Sequence, residues 1–213
     1  MVQKISKPAQ RRRRGRPREY DADRALNEAA ESFWRNGYAG TSLDELVAAT
    51  GMNRPSLYAA FGDKRDLYLK TLDRYREEAR AVGREIVADD PPLRVLLTRF
   101  YDAALDIYRA GDEDARGCYT ISTAAMQAAV DPAVRAHLAE SIRGTDAFLS
   151  ARIAKARERG EIGSGADPAA LAQLGTATLH TIAVRSRAGF PRKQLKALAA
   201  AAIDLICGPK AAK

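Results

Sequence analysis

The chain has 213 residues, 46% of them hydrophobic, and its formal net charge of +8 favours an acidic partner such as nucleic acid. Neither an HExxH motif nor a glycine-rich phosphate loop occurs, so we expect no enzyme, no cofactor and no metal site. No apolar run reaches the about 20 residues of a membrane span and the N-terminus lacks the apolar segment of a secretory signal, so we expect a cytoplasmic protein without membrane contact.

The positive charge is concentrated in residues 1–20, which contain eight basic residues and one acidic residue. We assign residues 1–19 to a flexible arm, because like charges repel and the segment has few apolar groups to bury. Its RGRP run resembles the core of an AT-hook, which predicts that Arg14 and Arg16 enter a DNA minor groove. The alternative is a tail that binds phosphates without sequence preference.

Three helices are predicted after the arm, over residues 20–37, 42–49 and 53–61. The glycine that follows the second helix, Gly51, supplies the positive φ of a tight turn. Asn53 caps the third helix, whose first turn tolerates a proline. The apolar stripe of the first helix comprises Leu26, Ala29, Ala30, Phe33 and Trp34.

The third helix has a polar face that suits a DNA major groove. Leu57 and Phe61 are four residues apart and face inward together, which leaves Arg54, Ser56 and Tyr58 facing outward. Basic and hydroxyl side chains on a short helix are typical of groups that contact base edges and phosphates. The alternative is an ordinary helical hairpin within a core.

Residues 15–75 resemble the N-terminal domain of TetR/AcrR-type transcriptional regulators. The resemblance is carried by the turn GYAGTS, the segment GMNRPSLY and the junction FGDK. We therefore assign residues 20–66 to a helix-turn-helix DNA-binding domain. A larger helical domain for ligand binding and dimerisation follows over residues 67–208, and residues 209–213 form a flexible tail.

Geometry and resemblance together assign the DNA contacts. Arg54 and Ser56 are expected at base edges, where arginine favours guanine, and Tyr58 and Lys64 are expected at phosphates. The residue that caps the second helix, either Thr41 or Ser42, is expected to bond a phosphate through its hydroxyl group, and the candidate set is completed by Asn53, Arg14 and Arg16.

The rest of the chain is predicted to be helical throughout, which makes the fold all-α with about nine helices. Prolines and glycines separate the apolar-periodic segments, and no strand-like alternation occurs. The predicted segments are residues 63–88, 92–110, 117–129, 132–160, 168–188 and 192–207.

The last two predicted helices are apolar nearly all round, so they are either buried or covered by a second subunit. In the family that the chain resembles, these two helices form a four-helix interface with the partner, which implies a homodimer. The alternative is a monomer that buries both helices internally. The interface candidates are Leu171, Leu174, Thr178, Ile182, Leu195, Leu198, Ala202 and Ile206.

Aromatic and polarisable residues among the middle helices predict a cavity for a mostly apolar small molecule. The alternative for each of these side chains is a place in the ordinary core. The pocket candidates are Phe100, Tyr101, Leu105, Tyr108, Cys118, Tyr119, Met126, Phe148 and His180.

Cys118 follows Arg116 and Gly117 at a predicted helix start, which makes a redox or electrophile sensor a minor alternative to a buried small hydrophobe. The only other cysteine, Cys207, is far away in the sequence, so neither a zinc site nor a disulfide framework is expected.

The resemblance implies a sequence-specific transcriptional regulator, most simply a ligand-responsive repressor that binds a palindromic operator as a homodimer. Its expected partners are double-stranded operator DNA, a small-molecule effector of unknown identity and a second copy of the chain. The alternative is a ligand-independent or weakly specific DNA-binding protein driven by the basic arm.

Overall fold

The part of the chain that the structure describes is built from helices joined by turns. A computed structural model describes residues 21–109 and 111–209. Over these residues the all-α prediction is confirmed, and each helix begins and ends within about three residues of its predicted limits. The helices are α1 (Ala22–Gly40), α2 (Leu43–Thr50), α3 (Arg54–Phe61), α4 (Lys64–Ile86), α5 (Leu93–Ile107), α6 (Tyr119–Gln127), α7 (Pro132–Glu158), α8 (Pro168–Arg187) and α9 (Arg192–Cys207).

Short polar side chains start the helices of the N-terminal part. The Ser42 hydroxyl accepts a hydrogen bond from the backbone N–H of Glu45 (3.1 Å), and the Glu45 carboxylate accepts one from the N–H of Ser42 (2.5 Å). The Asn53 side chain caps α3 by accepting from the N–H of Ser56 (2.9 Å). Asp63 forms the same reciprocal capping box at the start of α4. These bonds satisfy N–H groups that have no partner within their own helix.

Glycines fix the turns between the first helices. Gly37 has φ +74° and interrupts α1, and Gly51 has φ +66° in the left-handed region where α2 ends. Glycine adopts these angles at little cost, whereas other residues are strained there. The relative directions of α1, α2 and α3 are therefore set by the backbone itself.

The first four helices share a hydrophobic core with α6 and the start of α7. We call α1, α2, α3 and the first half of α4 the head, and the remaining helices the body. Side chains from the body, including Tyr119 and Val134, are fully buried in the head core. The head members of this core are Ala25, Ala29, Phe33, Trp34, Leu46, Met52, Leu57, Phe61, Leu67, Tyr68 and Leu72.

The body has a second core, in which α8 packs against α7 and α9, and α9 packs against α5. Gly175 allows α7 and α8 to approach closely, because a Cβ atom there would lie 2.9 Å from a methyl carbon of Leu149. The Tyr101 hydroxyl donates a hydrogen bond to the carbonyl of Gly175 (3.0 Å). Close packing at this glycine fixes the position of α8 in the body.

A continuous helix and an ion pair connect head and body in addition to the shared core. The helix α4 is continuous, with Leu67 and Leu72 in the head core and Val82 against the body core. An ion pair also joins the start of α4 to the start of α7, where the Arg65 guanidinium donates to both carboxylate oxygens of Asp131 (2.5 and 3.0 Å). This guanidinium, together with two backbone N–H groups, lowers the pKa of Asp131 to about 2.

Candidate nucleic-acid interface and internal cavity

The outer face of α3 is polar and accessible. Leu57 and Phe61 are only 2% and 6% exposed, whereas Tyr58 is 45% exposed. The Arg54 side chain is also largely exposed, and Ser56 is half-buried beside its capping bond to Asn53. The helix therefore presents Arg54 and Tyr58 as accessible polar side chains one turn apart, and the assignment of Arg54, Ser56 and Tyr58 to DNA stays a prediction.

The Arg54 side chain forms an ion pair with Asp44, which lies in the first turn of α2. Its guanidinium lies 2.6 Å from the carboxylate of Asp44, and both side chains are mostly exposed. Exposed pairs of this kind contribute little to stability, because water screens both charges. The pair can therefore open when a base or a phosphate offers the guanidinium a better partner.

The structure assigns the cap of α2 to Ser42 and not to Thr41. Thr41 is 1% exposed, and its hydroxyl donates to the carbonyl of Gly37 (2.7 Å). That hydroxyl faces α1, so the prediction that Thr41 contacts a phosphate is wrong. Ser42 is exposed at the N-terminus of α2 and keeps its predicted place on the surface.

Lys64 lies at the N-terminus of α4, and its ammonium group is 4.5 Å from the centroid of the Tyr38 ring. Tyr38 in turn packs against Phe33 and Tyr68. Partial burial lowers the pKa of Lys64. The lysine is thus positioned by an aromatic surface at the edge of the head. The predicted minor-groove residues, Arg14 and Arg16, lie outside the described residues.

A cavity of about 440 Å³ lies between α4, α5, α6, α7 and α8. Its volume is typical of small-molecule sites, and most of its wall is apolar. Five predicted pocket residues line it, namely Phe100, Tyr108, Cys118, Phe148 and His180.

The other four predicted pocket residues do not line the cavity. Tyr101 and Leu105 are enclosed in the body core, and Tyr119 is enclosed in the head core, where its hydroxyl hydrogen-bonds that of Thr71 (2.7 Å). Met126 is 86% exposed on the surface. The sequence shows that these residues are large or polarisable. The direction in which each side chain faces depends on tertiary packing, which the sequence pattern does not describe.

Burial shifts the pKa values of polar groups in the cavity wall. The Tyr75 hydroxyl donates to the thiol of Cys118 (3.5 Å), and burial raises the pKa of Tyr75 well above its ordinary value. Burial also lowers the pKa of His180, which is therefore neutral at pH 7. The cavity thus contains neutral hydrogen-bonding groups in addition to its apolar surface.

The predicted dimer residues divide between two sides of α8 and α9. Thr178, Ile182, Leu195, Ala202 and Ile206 are buried within the chain itself, so they offer little surface to a partner, and their place in a dimer contact stays a prediction. Leu171 and Leu198 are half-buried, and Leu174 is exposed. The accessible apolar face instead contains Leu174, Ala177, Thr181 and Val184 on α8 and Ala197, Ala201 and Leu205 on α9.

In residues 21–109 and 111–209, no group of three or more histidine, cysteine, aspartate or glutamate side chains could hold a metal ion. Within the same residues, no helix is long and apolar enough to cross a membrane.

Two family models match the chain. The model described as bacterial regulatory proteins, tetR family, matches residues 25–71, which cover most of the head. The model described as a tetracyclin repressor-like C-terminal domain matches residues 95–203, about half of the chain. The chain belongs to the TetR family of bacterial regulatory proteins. It is a DNA-binding transcriptional regulator and not an enzyme.

Known proteins resemble this TetR-family member over most of its length. The HTH-type transcriptional repressor ComR of Escherichia coli is 28% identical over 193 residues, covering 90% of this chain and 91% of ComR. The uncharacterized HTH-type transcriptional regulator YezE of Bacillus subtilis is 32% identical over 161 residues, covering 75% of this chain and 82% of YezE.

A solved structure resembles this TetR-family member as well. It contains a cysteine-substituted variant of the regulator CifR in complex with 26 bp of double-stranded operator DNA. The TM-score is 0.80 at 29% identity, over 88% of this chain and 98% of that chain.

Several cavity residues of this TetR-family regulator were not predicted from the sequence. They include Tyr75, Arg76 and Arg80 on α4, together with Ser141 and Arg152 on α7. The helical spacing of Tyr75, Ala79, Val82 and Ile86 was a usable signal for α4. No comparable signal existed for the arginines, because an arginine in a surface helix is ordinarily a solvated side chain.

Proposed function

We propose that the chain is a cytoplasmic, ligand-responsive repressor that binds a palindromic operator as a homodimer. Three features support this proposal, namely the accessible polar face of α3, the cavity in the body and the accessible apolar face of α8 and α9. ComR, which the chain resembles over most of its length, is named a transcriptional repressor.

In the proposed complex, α3 lies in the major groove. Arg54 and Ser56 contact base edges, and Tyr58, Ser42 and Lys64 contact the backbone of the DNA. The operator complex of the CifR variant supports this use of the head. A second copy of the chain places its own α3 in the next major groove, so the operator is palindromic.

The proposed dimer contact is the accessible apolar face of α8 and α9. Val184 is 59% exposed and Leu205 is 71% exposed, which is unusual for apolar residues on helices that also contribute to the core. Alanines and a threonine beside them permit close helix approach. A second copy would cover this face and give four packed helices.

The main support for ligand response is a direct contact between the cavity wall and the head. Tyr75 lines the cavity, and its ring packs edge-on against that of Trp34 on α1, with centroids 5.3 Å apart. Trp34 is 6% exposed, and its indole N–H donates to the carbonyl of Arg116 (3.2 Å). A molecule that displaces Tyr75 therefore displaces a buried neighbour in the head.

A second route leads from the cavity to α1 along the chain. Cys118 is part of the cavity wall, and two residues earlier the Arg116 guanidinium lies 3.8 Å from the centroid of the Trp34 ring and forms an ion pair with Glu31 (2.5 Å). If ligand favours one tilt of α4 and α1 and the operator favours another, each weakens the binding of the other.

The first test is selection of bound fragments from genomic DNA with the purified full-length protein at near-physiological salt. A shared palindrome among the fragments is the expected result. Fragments without a common motif that are lost together as the salt concentration rises would overturn the proposal in favour of the arm-driven alternative.

The second test uses the recovered operator and a screen of small molecules. At least one compound should release the operator and should lose this effect in an Ile121→Trp variant, in which the larger side chain fills the cavity. Operator affinity that no compound changes would contradict ligand response. A Met126→Trp variant is the control, because that side chain is exposed on the surface and does not line the cavity.

The role of Cys118 as a redox or electrophile sensor stays a prediction. Its thiol is 8% exposed and accepts the hydrogen bond from Tyr75, a position that also suits a buried small hydrophobe. A Cys118→Ser variant that keeps its response to every effective compound would exclude sensing by this thiol.

A further inference from the structure

We propose that the ligand of the cavity is an amphipathic organic anion, with an apolar body and a carboxylate or similar group. This inference rests on the proposed function, because it specifies the chemistry of the molecule to which the repressor responds. It is carried by the charges and by the hydrogen-bond donors without a partner in the cavity wall.

The charged lining is predominantly basic. Among the described residues that line the cavity, the bases are Arg76, Arg80, Arg84 and Arg152, and the single carboxylate is that of Glu140. Glu140 is already neutralised, because it lies 2.7 Å from Arg76 and 3.9 Å from Arg80. A cationic ligand would therefore find no free carboxylate among these residues.

Arg152 is the arginine best placed for a ligand anion. No carboxylate lies within ion-pair distance of its guanidinium among the described residues, whereas Arg76 and Arg80 both have acidic partners. Arg84 also lacks such a partner there, but its side chain is exposed to solvent, whereas Arg152 is half-buried. The central carbon of the Arg152 guanidinium, Cζ, is 5.9 Å from the centroid of the Phe148 ring, which also lines the cavity. Arginine and an aromatic surface thus stand next to each other on α7.

Three buried donor groups in this wall have no hydrogen-bond partner among the described residues. They are Nε of Arg76, Nε of Arg152 and the hydroxyl of Ser141. Buried polar groups are almost always hydrogen-bonded, and an N–H of arginine can only donate. These three atoms are closed off from the open cavity, so a ligand that supplies acceptor oxygens reaches them only when their side chains rotate toward it, and an ionised carboxylate then binds them most strongly.

The rest of the wall suits an apolar body. Phe100 and Phe148 stack with ring centroids 6.1 Å apart, and Val82, Ile107 and Ile121 are further apolar members of the lining. His180 is neutral at pH 7 because burial lowers its pKa, so it adds a hydrogen bond but no charge. The carboxylate of Asp146 acts on His180 but does not line the cavity.

Calorimetric titration of the full-length protein without DNA tests the ligand class. The probes are two acids, decanoate and 2-naphthoate, each with its neutral counterpart, decan-1-ol or 2-naphthalenemethanol, and decylamine as the cation. We expect at least one acid to bind about tenfold more tightly than its alcohol, because one charge-assisted hydrogen bond contributes that much.

Variants identify the group that recognises the anion. Arg152→Met should weaken acid binding about tenfold and leave alcohol binding unchanged, and Ser141→Ala should weaken acid binding less. Arg143→Met is the matched control, because Arg143 is exposed on the same helix and does not line the cavity. Circular dichroism melting establishes that each variant is folded, and Ser141→Ala serves as the test if Arg152→Met is not.

The inference is overturned if neither acid binds, if the alcohols or decylamine bind as tightly as the acids, or if a folded Arg152→Met protein keeps the preference for acids. Its failure is distinguishable from failure of the proposed function. A protein released from its operator only by neutral compounds is still a ligand-responsive repressor, whereas one that binds acids but no operator is not.

Discussion

Arg54 is the exposed arginine of α3, and its expected role is to read one base pair in each half of the operator. Arg54→Ala should relax preference at that position by roughly 1–3 kcal/mol, because a bidentate arginine–guanine contact is lost. Binding of a panel of single-base operator variants measures this effect. Tyr58→Phe should instead weaken binding to all sequences alike.

Arg143→Ala, in an exposed arginine of α7, is the control for loss of one positive charge. An Arg54→Ala protein whose affinities fall uniformly across the panel would assign Arg54 to a phosphate and not to a base.

Asp131 gives a pH dependence with a defined sign. Its pKa is lowered from an ordinary value of 3.8 to about 2, so its ion pair with Arg65 stabilises the fold above pH 4 and ceases to do so as the pH falls toward 2. Asp131→Asn retains a capping side chain for α7 but removes the charge. Urea unfolding should show a stability difference between the two proteins that is constant near neutrality and shrinks in this acidic range.

A difference that stays the same at every pH would show that the hydrogen-bond geometry, and not the charge, is responsible. Arg65→Gln should give the same loss at neutral pH, and combining it with Asp131→Asn should add little.

Predictions from the sequence were least reliable for individual side chains. Thr41 and Ser42 are adjacent hydroxyl residues before an apolar helix, and either fits a capping pattern. The folded structure distinguishes them. The Thr41 hydroxyl is buried and donates to the carbonyl of Gly37, whereas Ser42 lies on the surface. The buried arginine groups of the cavity were missed for a similar reason, because composition does not tell which side of a helix becomes a wall.

At the scale of helices, the N-terminus of α2 combines a structural and a proposed DNA-binding role in Ser42. Ser42→Ala should destabilise the protein by about 1 kcal/mol through loss of the cap. Ser42→Asp should restore stability, because aspartate is also a good cap, but should bind the operator less tightly than the native protein through repulsion of phosphate. Denaturant unfolding and operator titration separate the two effects.

If Ser42→Asp bound the operator as tightly as the native protein, the N-terminus of α2 would not face a phosphate. Asn53→Asp provides a comparison, since it makes the same change of charge at the cap of the neighbouring α3.

Helix limits were predictable because their signals are local. Aspartates, Asn53, prolines and glycines mark almost every start and stop, and each acts on N–H groups or φ angles within a few residues. The orientation of α8 and α9 was not predictable. Both helices are apolar nearly all round, so Ile182 and Val184 look equivalent in sequence, although the first is buried and the second exposed.

For the whole molecule, the proposed dimer depends on a face that the isolated chain leaves accessible. Val184→Glu should raise the dissociation constant of the dimer by an amount equivalent to roughly 2 kcal/mol or more, because a charge would be buried between subunits. Analytical ultracentrifugation over a concentration series measures this shift. The unfolding midpoint of the monomer should change little, since the side chain is 59% exposed there.

Val130→Glu is the matched control, because this valine is 75% exposed in the connection between α6 and α7 and does not belong to the proposed contact face. Equal effects of the two substitutions, or none from Val184→Glu, would exclude this face as the interface.

The global fold was predictable because helical periodicity and family resemblance point to the same all-α architecture. The resemblance in the head was specific, whereas the body was recognised only by length and helical character. The cavity arises from packing among five helices, α4 to α8, so no pattern within a single helix describes it.

The shared core of α1, α6 and α7 makes the head unsuitable as an interchangeable module. Tyr119 and Val134 are fully buried among head side chains, so a chimera that joins this head to the body of another regulator leaves a hole unless equivalent residues are grafted with it. The reverse also holds, because a foreign head would leave Tyr119 exposed. Engineering of hybrid sensors from this chain therefore has to transplant α6 and the first turn of α7 together with the first 75 residues.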